Sequence, residues 1–163
     1  AGTAVIGLRE MLNTGFRTAE ALEAETGHAV IGQVPKIPAR SRADVLAHLV
    51  ETPTSAAAEA VRNLRTSMMH SNVDRPPQVI MMNSSIPVEG KNTTAIAHAQ
   101  NFSGMGKKVL LMEGDIRKRV FSEYFDHKHP KGLLRVLSGE APLDEVVQHS
   151  DLVNVDILVG EKS

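Results

Sequence analysis

The chain has 163 residues, the size of one ordinary domain, long enough to bury a core of its own. Cysteine is absent, which excludes a disulfide framework, a thiolate metal site and a cysteine nucleophile, and fits a reducing compartment. Formal net charge is −1, and aromatic residues are only 3% of the chain, with a single tyrosine, Tyr124; neither a basic nucleic-acid footprint nor an aromatic platform for stacking bases is present.

In chain order, Arg9 to Gly27 reads as helix, broken at Thr14-Gly15 and stopped by Gly27. Ala29–Val34 reads as a short buried strand ended by Pro35, and Lys36–Thr54 as a linker with a helical turn near Ala43–Leu49. A strong helix follows, with Thr54 and Ser55 available as N-caps and an apolar stripe at Ala57, Ala60, Val61, Leu64 and Met68. Three continuous apolar runs, Val79–Met82, Val109–Met112 and Val155–Val159, read as strands covered on both faces. Helical patterns separate them: Thr93–Gly104, then patches at Val120–Phe125, Leu133–Leu137 and Leu143–Gln148. That alternation predicts an α/β fold with a mostly parallel sheet, and ligands bind such sheets beyond the carboxyl ends of the strands. No window approaches the ~20 apolar residues of a membrane-spanning helix. The uncharged stretch Ala1–Leu8 lacks the basic-then-apolar pattern of a signal peptide.

Chemistry is therefore sought after Met82 and Met112. The first loop runs Asn83-Ser-Ser-Ile-Pro-Val-Glu-Gly-Lys-Asn-Thr-Thr into a helix. A strand-to-helix turn offers free backbone N–H groups and the positive helix end to an anion; Gly90 permits close approach and Lys91 adds a charge for the outer phosphates. The strict pattern G-x-x-x-x-G-K-S/T fails twice, with Ser85 at the first glycine and Asn92 at the hydroxyl that ligates Mg²⁺. The second loop, Met112-Glu-Gly-Asp-Ile-Arg, carries Glu113 and Asp115 two residues apart; if the strand continues, both carboxylates face one side, beside Lys91, and suit Mg²⁺ and an attacking group. A solvated turn with a Glu–Arg pair is the other reading of those acids. His127 and His129 read as a loop pair without a third metal ligand, and Tyr124, among Val120, Phe121 and Phe125, as a core residue.

Several of these segments together resemble the ATPase domain of the bacterial tyrosine autokinases that act with polysaccharide chain-length determinants. Ile31-Gly-Gln-Val-Pro is similar to the stretch after that family's second membrane helix. Glu59-Ala-Val-Arg-Asn-Leu-Arg resembles its E-x-x-R-x-x-R helix, Ser84-Ser-Ile-Pro-Val-Glu-Gly-Lys its Walker A loop, and Val109 to Arg117 its Walker A′ segment, with Gly132-Leu-Leu-Arg-Val-Leu-Ser-Gly following. The resemblance implies a deviant P-loop NTPase fold of the MinD/ParA-like kind, with residues 1–53 as a juxtamembrane-like segment and 54–163 as the nucleotide-binding core. It implies binding of ATP and Mg²⁺ through Pro87, Val88, Glu89, Gly90, Lys91, Asn92 and Thr93, and phosphoryl transfer to tyrosines of a C-terminal tail. Lys91, Glu113 and Asp115 would be the catalytic set, and Asn92 and Asp115 the metal ligands. Glu59, Arg62 and Arg65 would mediate contacts in a homo-oligomeric ring. The implied partners are further copies of the chain and a membrane-embedded chain-length-determinant segment, with no nucleic acid; the implied place is the cytoplasmic face of the bacterial inner membrane. Three departures stand out: Asn92 for a hydroxyl residue, Val88 for glycine and Glu113 for aspartate. The Walker B strand and the tyrosine cluster are not found before Ser163, so the core is expected to be incomplete. Two further readings stay open: a nucleotide-sensing or non-catalytic oligomerisation module of polysaccharide export, and a ParA/MinD-type positioning ATPase.

Overall fold

The computed structural model describes residues 16, 18–37, 39, 41–71, 74–85, 90–115, 118–125 and 131–161. The chain divides into two compact units, residues 1–33 and 34–163. Within the second unit, Val34, Ile37, Val45 and Leu49 pack with Val61 and Ala97.

In the first unit, helix α1 spans Ala19–Thr26. Thr18 caps it by accepting the N–H of Ala21 at 3.2 Å, and Gly27, at φ 69°, ends it as a left-handed residue returns an N–H to Glu23. The first half of the expected helix, residues 9–15, lies outside the described residues. The strand expected at Ala29–Val34 forms no ladder among the described residues.

The second unit begins with α2, Arg42–Glu51, a full helix where a single turn was expected. Its start explains it: Ser41 and Asp44 satisfy each other's backbone N–H in a reciprocal capping box, which stabilises a helix by about 1 kcal/mol. Helix α3, Ala56–His70, starts at Ser55 and buries Ala57, Ala58, Val61 and Leu64, the predicted stripe shifted slightly. Helix α4, Lys91–Ser103, packs against both α2 and α3 and against the sheet. Its buried Ile96 and Ala99 join the main core; burying an isoleucine of this kind stabilises by roughly 1.5–3 kcal/mol.

The sheet has three strands, β1 (Leu110–Met112), β2 (Gln148–Ser150) and β3 (Val155–Leu158), in the order β1-β3-β2. β1 and β3 are parallel, with Leu111 opposite Ile157; hydrogen bonds from Asp156 to Val109 and from Glu113 to Leu158 extend that pairing beyond the strands. β2 is antiparallel to β3, an unpredicted hairpin strand where a helical patch was expected to run to Gln148. His149 sits opposite Asp156 there, and its Nδ1 lies 2.8 Å from the carboxylate, which raises the imidazole pKa. The crossover between β1 and β3 carries a 3-10 turn (Phe121–Glu123), α5 (Leu133–Leu137) and α6 (Leu143–Val146). Phe121, Tyr124 and Phe125 complete the main core, while Leu133, Ala141, Val146 and Leu158 form a second cluster. Gly132 fits because a Cβ there would collide with the Val159 carbonyl oxygen.

One predicted strand is corrected. Val79–Met82 joins no ladder among the described residues, and Val79 and Met81 are 90% and 86% exposed. A strand forms only by bonding to a partner; here a cavity of about 530 Å³, walled by Ile80 and Met82 of this segment, Leu111 of β1, and Met69 and Phe102, lies where a ladder was expected. His98, 3% exposed, also lines it. Its Nδ1 donates to the Thr94 carbonyl at 2.9 Å, which leaves Nε2 buried without a partner among the described residues.

Burial, and secondarily the charge of Arg65, lower the His98 pKa below its ordinary 6.5, against the bond to Thr94, which raises it. Between the lowered folded value and 6.5 the unfolded chain binds more protons, so this contribution to stability is intact above pH ~6.5 and erodes as pH falls below it. Denaturant unfolding of wild type and His98→Leu across pH 5–8 is expected to show a difference curve that is flat above pH 6.5 and moves in favour of the variant below it. A difference that is flat throughout would mean that His98 titrates alike folded and unfolded.

Candidate nucleotide site

The first turn of α4 is exposed to a ligand by its own geometry. Gly90 caps it at φ 85°, ψ 10°, a left-handed conformation costly for a residue with a Cβ, and no side chain caps the helix. The first helical bond of the turn is from Thr94 N–H to the Gly90 carbonyl, so the backbone N–H groups of Lys91, Asn92 and Thr93 precede the hydrogen-bonded ladder. Pro87, Val88 and Glu89, three of the expected cofactor contacts, lie outside the described residues. Ahead of them, Asn83 turns its Oδ1 back to accept the Ser84 N–H.

Lys91 and Asp115 come together as the sequence predicts. The Lys91 ammonium stands 3.8 Å from Asp115 Oδ2, while Asp115 Oδ1 accepts the Lys118 N–H at 3.1 Å. Both side chains remain partly open to solvent. A lysine beside the N–H groups of a helix start makes a cationic corner that suits an anion, and here the Asp115 carboxylate stands opposite the ammonium. Asn92, half-buried in the same turn, offers an amide oxygen, and Asp115 a carboxylate, a hard-oxygen pair suited to a divalent cation that keeps most of its shell as water and phosphate. Among the described residues no group of three acidic, histidine or cysteine side chains could hold a metal alone.

Glu113 does not share the site with Asp115. β1 ends at Met112, so the period-two argument fails, and the Glu113 side chain turns inward, 4% exposed. Oε1 accepts the N–H groups of Val120 (2.5 Å) and Phe121 (2.9 Å), and Oε2 accepts that of Gly160 (3.0 Å). A buried carboxylate requires donors, and all three here are backbone. Both oxygens are engaged, so the geometry makes Glu113 a structural tie rather than a metal ligand. Gly160 is fitted against it, since a Cβ there would stand 3.4 Å from Oε2.

Sequence reasoning missed a neighbour of the site. The Tyr124 hydroxyl lies 2.8 Å from Thr93 Oγ1, across 31 residues of chain. Arg42 holds its guanidinium carbon 5.7 Å from the Tyr124 ring centroid and pairs with Glu123 at 2.9 Å. Tyr124 is a core residue, as expected, but its polar end reaches the loop helix. No local pattern signals that contact. Of the expected oligomer residues, Arg62 donates to the Pro53 carbonyl at 2.6 Å and Arg65 to the Asn101 side chain, whereas Glu59 is exposed. His127 and His129 lie outside the described residues.

The solved kinase domain of the Escherichia coli tyrosine kinase ETK superposes on this chain with a TM-score of 0.81 at 27% identity, covering 91% of this chain and 62% of that one. The Bacillus subtilis tyrosine-protein kinase YwqD is 36% identical over 108 residues, 66% of this chain and 46% of the relative. By sequence and fold, this chain is a homologue of the bacterial tyrosine-protein kinases. Its α/β fold is the P-loop NTPase fold of their kinase domains. The tyrosine-protein kinase ptk of Acinetobacter johnsonii is 25% identical over 170 residues, 99% of this chain and 23% of that protein. The BceF tyrosine kinase domain, at 22% identity and a TM-score of 0.72, shares the fold. No family model matches the chain. The chain spans less than half the length of these curated relatives. Among the described residues no helix is long and apolar enough to cross a membrane.

The buried tie makes a stability prediction. Glu113→Gln replaces one acceptor oxygen by an NH₂ facing backbone donors, and is expected to cost roughly 2–4 kcal/mol in denaturant unfolding. Asp115→Asn, at a half-exposed site, is expected to change stability by less than about 1 kcal/mol. Equal costs for the two would refute the division between them.

Proposed function

We propose that this chain is the nucleotide-binding part of a protein tyrosine autokinase of polysaccharide synthesis and export. One observation carries the reading: the ammonium of Lys91, at a glycine-capped helix start, stands 3.8 Å from the carboxylate of Asp115 beyond the adjoining strand. Homology to proteins named as tyrosine-protein kinases supports the reaction class.

Bound ATP would supply the γ-phosphoryl group, and a bound Mg²⁺ would supply neutralising charge. Lys91 and the N–H groups of the first turn would bind the phosphates, and Gly90 would let the backbone approach them. Asn92 and Asp115 would hold the cation, with Asp115 also able to orient the attacking tyrosine hydroxyl. Glu113 would fix the loop that carries Asp115. The acceptors are tyrosines of a tail segment, and the chain would act beside a membrane-embedded chain-length-determinant segment at the cytoplasmic face of the inner membrane. Self-association would use the exposed Glu59 of α3; Arg62 and Arg65 would have to exchange their bonds within the chain to contribute.

A second reading is a nucleotide-sensing or non-catalytic assembly module. The engagement of Glu113 with backbone favours it, since one expected catalytic acid is withdrawn from the site. Calorimetry with Mg-ATP tests the shared part: wild type is expected to bind and Lys91→Met to bind at least about tenfold more weakly, from loss of a charge-assisted contact. Absence of binding to wild type would sink both. Phosphotyrosine measured on the protein that carries this chain then separates them. A signal lost with Lys91→Met supports the kinase, and equal signals with and without the substitution support the assembly module.

A further inference from the structure

We propose that Tyr124 is a positioning residue of the nucleotide loop, whose phenol fixes the Thr93 hydroxyl as a donor to a phosphate oxygen. The proposal rests on the nucleotide-binding reading above.

Thr93 is the third residue of α4, in the turn whose N–H groups precede the helical ladder. A threonine in a helix divides its χ1 between two rotamers, because Oγ1 can turn back to a carbonyl three or four residues earlier. Here Oγ1 instead meets the Tyr124 hydroxyl at 2.8 Å. Two hydroxyls at that distance share one hydrogen, and either can give it. If Thr93 donates, the phenol hydrogen of a residue 9% exposed has no second acceptor among the described residues. If Tyr124 donates, every hydrogen is placed: the phenol bonds to Thr93, and the threonine hydrogen is free to point into the loop. A phosphate accepts hydrogen bonds and, when fully ionised, donates none, so its arrival selects the second arrangement.

The position of the phenol is set by the core and not by the loop. Phe125 lies 6.4 Å from the Tyr124 ring and meets Phe121 edge-on at 5.9 Å. Arg42, held by Glu123, covers the Tyr124 ring. Tyr124 is thus a rigid post from which the first turn of α4 takes its hydroxyl orientation. The second loop and α2 are connected to the phosphate loop through it.

Tyr124→Phe keeps the ring and removes the donor. It is expected to weaken Mg-ATP binding about threefold to tenfold by calorimetry, the range of one ordinary hydrogen bond. Thr93→Val is expected to weaken it similarly, Thr93→Ser to leave it near wild type, and the double variant Tyr124→Phe/Thr93→Val to be no weaker than Thr93→Val alone. Because the chain has one tyrosine, replacing it with 3-fluorotyrosine gives a single ¹⁹F resonance without altering the fold. That resonance is expected to move on adding Mg-ATP and to stay on adding adenosine, which has no phosphate. Unchanged affinity in Tyr124→Phe, additive losses in the double variant, or a resonance indifferent to Mg-ATP would overturn the proposal. A wild-type protein that binds no Mg-ATP would overturn the nucleotide reading itself, an outcome recognisable before any variant is made.

Discussion

The carboxylate of Glu113 is the point at which the structure is tied. It leaves the end of β1, enters the protein, and accepts backbone N–H groups from the start of the 3-10 turn and from the residue after Val159 at the end of β3. The ends of β1 and β3 and the start of the 3-10 turn are thereby held to one side chain. A loop has few backbone bonds of its own, so its shape is set by whatever satisfies its N–H groups. Here Glu113 satisfies the N–H groups of Val120 and Phe121, and Asp115 that of Lys118. Asp115, two residues after Glu113, stands 3.8 Å from the Lys91 ammonium.

This explains why two acids spaced two residues apart serve different purposes. A longer strand would have aimed them the same way. The strand stops at Met112, and only Asp115 faces the lysine. The extra methylene of glutamate relative to aspartate, a departure from the pattern the second loop resembles, gives the side chain reach toward Val120, Phe121 and Gly160. A nearly complete set of backbone donors around a buried carboxylate is consistent with stability and leaves little capacity for a cation. The remaining charges at the site, Lys91, Asp115 and the helix N-terminus, still form a small alternating array in which an anion and a divalent cation are mutually compatible.

The legible parts of the sequence were those with a local cause. α3 was readable from its stripe, α4 from its helical pattern, and the Lys91–Asp115 approach from the placing of both residues in loops at one end of the sheet. What was not legible depends on partners far away in sequence. Val79–Met82 has the composition of a buried strand, yet a strand forms only by bonding to a partner, and composition says nothing of whether the segment reaches one. β2 was hidden because Gln148-His-Ser is polar; it pairs only because β3 lies beside it and a histidine finds Asp156 opposite. The capping box of α2 was present in the spacing of Ser41 and Asp44 and could have been read. Glu113 and Tyr124 were named, but their partners lie outside any local window, and a side chain's role follows from its partner.

Helix α4 is where these strands of argument meet. Its N-terminal turn presents Lys91, Asn92 and Thr93, while its next turns bury Ile96 and Ala99 in the main core and Ala97 against Leu49 and Val61. Packed interiors are dense and yield little, so a helix seated in two clusters at once has little freedom to shift along or about its axis. The first turn of α4 is therefore placed by apolar side chains further along the helix. Tyr124 extends the same logic to a single hydroxyl: it belongs to the core by its ring and to the loop by its oxygen. A substitution in the aromatic cluster should then be felt in the loop even where no loop residue is altered, because the two share atoms and not merely proximity.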